Sequence, residues 1–333
     1  MPDPPTNCSH PDCSWEEPVC VIKTVKLSFP VCVTIIYVPL MLFGLLGNIL
    51  TILVVWLRPH MRSSTYLYLS SMAISDLLIL LLLPLDLYKL WRPRPWPLGD
   101  LACKLTMFLS ECCTFCTILH ITFLSLERYV AVCWPITAKT LVTRRRTRVI
   151  IGCLWLGAAV SAAPVLLMVG VEDIGGDEAD RRECRCTQYA ISSGLLSAMM
   201  ILSNLYFLVP LSILGLVYSL IGRTLWLRPK SSRKEQGHRN TVKMLGVIVL
   251  AFVLCWLPFH VGRTIFSLSL GGYFNLVSSV LFYLSAAINP LLYNLMSARY
   301  RLAVRSLVLF LISCSSSRRS FMLARSCQSS ENT

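Results

Sequence analysis

The sequence predicts an all-α membrane protein: a seven-transmembrane helix bundle followed by a C-terminal amphipathic interfacial helix. Composition is the first of three observations behind this prediction. Of 333 residues, 55% are hydrophobic and only 14% charged, with a mean hydropathy of +0.63, whereas a soluble domain carries about 25% charged residues. The second is a set of seven runs of about 20 mostly uncharged residues, the length a helix needs to cross a bilayer. The third is charge placement. The basic clusters TRRRTR (143–148), RPKSSRK (228–234) and SARYRLAVR (297–305) lie beside alternate runs, while Glu172, Asp173, Asp177, Glu178, Asp180 and Glu183 crowd a different connection.

Residues 1–26 form a tail. Its first twenty, MPDPPTNCSHPDCSWEEPVC, are polar, acidic and Pro-rich, with no basic stretch leading into an apolar core. No cleavable signal is therefore expected, and the first helix serves as its own insertion signal. Asn7-Cys8-Ser9 in this tail is an N-glycosylation sequon. Spanning helices are expected over 27–56, 66–90, 103–133, 149–169, 193–221, 244–268 and 274–296. Their connections are short. The longest runs over 170–190, and the one between 223 and 238 is too short for a folded module. Residues 27–297 thus make one membrane domain. With no repeat between its halves and an odd number of helices, it does not suit a transporter built from two related bundles.

In residues 298–312, Tyr300, Ala303, Val304, Leu307, Val308 and Leu311 share one helical stripe opposite Arg299, Arg301 and Arg305. That pattern is an amphipathic helix lying in the interface. Cys314 beyond it suits palmitoylation, and equally an ordinary tail cysteine. The Ser- and Arg-rich residues 313–333 are expected to be disordered and to offer phosphorylatable serines. Placing the amino terminus outside puts the basic clusters in the cytoplasm, where Lys and Arg near helix ends are retained. The net charge of +14 then reports topology and attraction to anionic inner-leaflet lipid, and not nucleic acid.

The fifteen cysteines divide by compartment. Cys8, Cys13, Cys20, Cys103, Cys184 and Cys186 fall on the outer side, where disulfides persist. Cys32, Cys112, Cys113, Cys116, Cys153 and Cys255 lie within helices as small apolar side chains. Cys8, His10 and Cys13 are compatible with zinc, but a disulfide suits an oxidising space better.

Ionisable and polar residues inside spans are costly and mark function. Asp76, in SSMAISDLLILLLLP, sits near mid-helix, with Asn48, Asn289 and Thr117 at similar depths. Together they make either an oxygen-rich Na⁺ site or a water-filled network that joins helices. No other cofactor or metal is expected. Pro210, Pro258 and Pro290 should kink three helices. One helix carries Glu111 near one end and Glu127-Arg128-Tyr129 near the other, about 24 Å apart at the α-helical rise. An arginine at an inner helix end, able to exchange its neighbouring acid for another partner, is what a two-state contact requires.

ERY at 127–129, CWLP at 255–258, NPLLY at 289–293, Asn48, Asp76, Trp155, Pro210 with Tyr218, and the pair Cys103 and Cys184 stand in the same helices and order as in the rhodopsin-like G-protein-coupled receptors, which the chain resembles over about residues 28–312. The resemblance implies a Cys103–Cys184 disulfide, Trp256 as the floor of a ligand cavity and Arg128 as a G-protein-facing latch. Glu127, Tyr129, Ile118, Phe252, Pro210, Tyr218, Asn289, Pro290 and Tyr293 would complete the activation switch.

A narrower resemblance, to the ghrelin and motilin receptor subfamily and more to its ghrelin type, rests on PLDLYKLW, RPWPLGDLACKL, RECR, YSLIGRTLW, VLCWLPFHVGR and LFYLSAAINPLLYN. It implies an agonist pocket lined by Asp86, Glu111, Phe259 and Arg263. A Glu111–Arg263 ion pair across the cavity would divide a polar side with Asp86 from an apolar side with Phe259 and Phe282. The chain departs from that pattern at Met107, where a glutamine is expected, at Tyr66, where an asparagine is expected, and in the short segment SLSLGGYFN (267–275). It also carries extra cysteines at Cys186 and in the tail.

The partners implied are an extracellular peptide hormone of the ghrelin type, with or without an acyl chain, and a heterotrimeric G protein of the Gq/11, phospholipase-C-coupled type. Arrestin, receptor kinases and plasma-membrane lipid complete the set. A motilin-type or constitutively active relative is the alternative within the class, and a channel or transporter the one outside it. No HExxH, no GxSxG in a strand–turn–helix setting and no triad points to an enzyme.

Overall fold

The computed structural model describes residues 17–92, 94–173, 182–227, 233–266, 272–310 and 312–313, with the side chains of 17–29, 60, 233–238, 241, 244, 263, 265–266, 272–276 and 296 outside that description. Eight helices organise it: α1 (Glu17–Leu57), α2 (Ser64–Trp91), α3 (Gly99–Cys133), α4 (Arg144–Ala162), α5 (Leu195–Leu227), α6 (Arg233–Phe266), α7 (Gly272–Met296) and α8 (Ala298–Phe310). A bilayer offers the backbone no hydrogen bonds, so each apolar run closes its own ladder as a helix. The first six contain spans by length and composition, and the seventh turns through 97° into α8. That turn sets the amphipathic stripe against the bundle: Tyr300, Ala303 and Leu307 are buried while Arg299, Arg301 and Arg305 are exposed.

Several boundaries differ from those expected. α1 begins ten residues earlier than the apolar run, and α5 and α6 extend into the inner connection between them. The fourth helix ends sooner, at Ala162, because Pro164 follows and cannot donate to the ladder. A single turn, Val165–Met168, leads into strand β1 (Val169–Asp173), which pairs antiparallel with β2 (Arg182–Cys186). The hairpin was not foreseen. Besides Pro210, Pro258 and Pro290, prolines 30, 39 and 84 also lie inside helices.

α3 is the axis: 67% of its spanning window is buried, against 22% for α4. Its polar residues from Glu111 to Ser125, among them Thr114, Thr117, His120 and Thr122, are therefore buried against the rest of the bundle. α1, α2 and α7 approach closely through glycine. A Cβ on Gly44 would lie 2.7 Å from the Leu80 side chain and 3.0 Å from the Ala287 Cβ, and one on Gly47 would lie 2.9 Å from Pro290. Below about 3.0 Å no ordinary packing exists, so any larger residue there would push α7 away from α1.

Candidate functional site

The sequence-predicted residues fall into three layers along α3, named outer, middle and inner in order from its Cys103 end to its Arg128 end. The outermost begins with the disulfide Cys103–Cys184, which fastens the hairpin to the first turns of α3. It is Cys184, and not Cys186, that pairs. Asp100 steadies the same junction, accepting from the Val171 backbone N–H (3.0 Å) and pairing with Lys104 (2.6 Å). Arg94 reaches Glu183 at 3.2 Å, and the Trp96 N–H donates to the Arg182 carbonyl at 2.8 Å. The hairpin is thereby tied at both edges.

Below it, Asp86 on α2 accepts a hydrogen bond from the Tyr283 hydroxyl of α7 and lies 3.8 Å from Lys89, with its side chain still 48% exposed. Lys89 also rests over the Trp96 ring, 5.2 Å from its centroid. Tyr283 packs edge-on against Tyr37 at 5.2 Å. Tyr37, Lys89 and Tyr283 were missed from sequence, where an aromatic or a lysine near a helix end reads as packing or snorkelling. Glu111 is buried at 7% exposure. Its expected counterpart Arg263 has its side chain outside the described residues. Phe259 stacks on Phe282 at 5.0 Å, and both meet Trp256 edge-on, at 5.9 and 5.3 Å. Tyr283, the donor to Asp86, packs edge-on against Phe282 at 5.2 Å, and the aromatic contacts continue from Trp256 through Phe252 to Phe207.

The middle layer holds Asp76, 1% exposed, accepting from the Asn289 amide at 2.9 Å. Asn48 gives its amide to the backbone carbonyls of Gly44 and Ala286, both at 2.9 Å, joining α1 to α7; among the described residues it makes no hydrogen bond to Asp76. Thr117 bonds Ser75 at 2.8 Å, which places an unforeseen hydroxyl next to the aspartate. A small cavity of about 10 Å³ adjoins this layer, bounded by Thr117, Phe252, Trp256, Ser285 and Asn289 among others. Trp155 donates to Ser71 at 2.9 Å and pins α4 to α2. Ile118 and Phe252 share the main apolar core, Pro210 is buried in α5, and Pro290 packs beneath Gly47.

At the inner end Glu127 faces α2 and α4. Its Oε1 accepts from Tyr68 (3.0 Å) and Thr147 (3.3 Å), and its Oε2 from Ser64. Among the described residues it makes no ion pair with Arg128, whose Nε is buried without a hydrogen-bond partner. The two side chains leave the helix about 100° apart, so adjacency in sequence does not force contact. Tyr218 of α5 reaches Ser125 at 3.5 Å, one turn before Arg128. Tyr293 is buried beside Tyr300 (6.2 Å between rings), and Tyr129 packs on Trp134. Ser64, Tyr68 and Thr147 carried no signal in the sequence, since hydroxyls at helix ends are common.

Charged and polar side chains thus stand at three depths of a bundle of membrane-length helices. A sequence model of the rhodopsin family of seven-transmembrane receptors matches residues 47–293. The chain belongs to that family. This receptor is 49% identical to growth hormone secretagogue receptor type 1 of Sus scrofa, over 92% of this chain and 91% of that protein. It is 52% identical to the Homo sapiens protein of the same name (84% and 81% covered) and 43% identical to the Homo sapiens motilin receptor (83% and 80%). It is a multi-pass membrane protein of the G-protein-coupled class, not an enzyme. Asn7, Cys314, both chain ends and most of the 267–275 segment lie outside the described residues.

Proposed function

We propose that this chain is a plasma-membrane receptor for a peptide hormone of the ghrelin type, with its amino terminus outside, activating a Gq/11-type heterotrimeric G protein. The observation that carries the reading is the half-exposed Asp86 carboxylate, joined through Tyr283 to the stacked Phe282–Phe259 pair. A basic amino terminus and an acyl chain need those two environments side by side. Similarity to growth hormone secretagogue receptors and to a motilin receptor supports the same ligand class. Arg128 at the cytoplasmic end of α3 would engage the G protein, with receptor kinases and arrestin acting on the serine-rich tail. Asn7 would carry a glycan and Cys314 a second lipid anchor.

The residues at Asp76 also fit an allosteric Na⁺. A buried carboxylate, with the Ser75–Thr117 hydroxyl pair on the residue beside it and the side-chain oxygen of Asn289 available if that amide turns, offers hard ligands. Na⁺ bound there would favour the resting state, and Asp76 is the group that would hold it.

The test is inositol-phosphate accumulation in cells expressing this chain, with acylated ghrelin, unacylated ghrelin and motilin. A response to acylated ghrelin at far lower concentration than to the other two supports the reading. A stronger response to motilin moves the chain to that branch, and a surface-expressed receptor silent to all three excludes both ligands.

A further inference from the structure

We propose that the hydroxyl groups of Ser64, Tyr68 and Thr147 set the resting activity of this receptor by holding the Glu127 carboxylate away from Arg128. The inference rests on the G-protein coupling proposed above. Both oxygens of Glu127 are engaged by neutral donors from two neighbouring helices, and the Thr147 hydroxyl, 2.7 Å from Ser64 and 3.3 Å from Oε1, divides its one proton between Ser64 and the carboxylate. Thr147 and Tyr68 are fully buried and Ser64 is 8% exposed, so water competes weakly for the carboxylate. The cradle is itself anchored, because the Trp155–Ser71 bond fixes α4 to α2 two turns away. A set of donors held in place costs little to use and discriminates strongly between one rotamer and another.

A buried carboxylate that loses its donors must find another partner. The cation nearest along the chain is Arg128, whose Nε now lacks a hydrogen bond. Removing a cradle hydroxyl therefore drives Glu127 onto Arg128 and withdraws the guanidinium from the G-protein-facing surface. The sign is the informative part. Weakening an inner contact would ordinarily loosen the resting state and raise activity, whereas here it lowers it.

Receptor in lipid nanodiscs, without ligand, is assayed for nucleotide exchange on a purified Gq heterotrimer. Tyr68→Phe is expected to lower basal exchange about threefold or more, with Thr147→Val acting in the same direction. On a Glu127→Gln background, Tyr68→Phe should have no further effect, because the amide no longer pairs with Arg128. A purely structural role for Tyr68 would depress both backgrounds alike. Unchanged or raised exchange in Tyr68→Phe, or an equal fall in both backgrounds, overturns the proposal. If the wild-type receptor exchanges nucleotide on no heterotrimer, the coupling reading fails, and a ¹⁹F probe decides the cradle separately. With trifluoromethyl-phenylalanine encoded at the exposed Lys243 of α6, Tyr68→Phe should enlarge the closed population, and an unaltered spectrum would overturn it.

Discussion

Asp86 at the outer end of the bundle and Glu127 at the inner end are both carboxylates on spanning helices, and they are held in opposite ways. Asp86 keeps its side chain 48% exposed, with one tyrosine donor and a lysine at 3.8 Å. Glu127 is enclosed by three hydroxyls from α2 and α4 and, among the described residues, makes no ion pair with the adjacent arginine. An acid that must exchange its partner for an incoming cation stays near water, where an ion pair is worth only about 0–1 kcal/mol and is easily replaced. An acid that is kept from a neighbouring cation is sealed by neutral donors, where each bond to its charge is worth about 1.5–3 kcal/mol. The outer end is built for exchange and the inner end for bistability.

The largest perturbation removes the frame of the outer end. Cys103→Ser or Cys184→Ser should cost about 2–5 kcal/mol and collapse surface expression or ligand binding, because that bond fastens the hairpin to α3. Cys186→Ser should be far milder. Radioligand binding on intact cells checks both, and equal losses in the two cases would mean the hairpin is held otherwise.

A smaller effect sharpens the pocket itself. If Glu111 and Arg263 pair across the cavity, Glu111→Gln and Arg263→Gln should each weaken binding of acylated ghrelin about tenfold, or about 1.4 kcal/mol. Their double mutant should then be clearly non-additive. Additivity within about 0.3–0.5 kcal/mol would make the two residues independent and the pocket undivided.

Next comes the waist. Replacing a large organic cation by Na⁺ at constant ionic strength should lower agonist affinity in the wild type, since Na⁺ would bind the resting state better. Asp76→Asn should abolish that dependence. A Na⁺ response that survives in the mutant leaves Asp76 as a structural hydrogen-bond acceptor of Asn289.

The smallest expected change is Tyr283→Phe. It deletes one hydrogen bond to Asp86 and leaves the Tyr37 edge contact possible. Binding of a basic peptide should shift by about tenfold or less, since one bond to an exposed charge is at stake. A loss as large as that of Asp86→Asn would mean that the tyrosine touches the ligand directly.

Much of this was legible in the sequence because a bilayer leaves few choices. Apolar run length and basic loops yield the spans, and Asp76, Glu111 and Glu127-Arg128 stand out as charges inside them. The partners of those charges were not legible. Ser64, Tyr68 and Thr147 meet Glu127 from two other helices, and no local pattern distinguishes a hydroxyl that faces an acid from one that bonds its own backbone, as Thr114 and Thr122 do. Asn48 reads as part of the Asp76 cluster, yet it bonds the Gly44 and Ala286 carbonyls, because close packing at Gly44 brings the α7 backbone within reach. The β1–β2 hairpin escaped notice since its strands are short and are held from outside by the Cys103–Cys184 bond.

The division of labour between the two ends is tested most directly by measuring binding and G-protein activation in parallel on one outer and one inner variant. Asp86→Asn should raise the dissociation constant of acylated ghrelin about tenfold or more while saturating peptide still drives maximal nucleotide exchange. Arg128→Ala should bind that peptide with affinity within about threefold of wild type, yet drive no exchange on Gq at any concentration. Robust exchange by well-expressed Arg128→Ala receptor, or an equal loss of binding and exchange in both variants, would contradict the account.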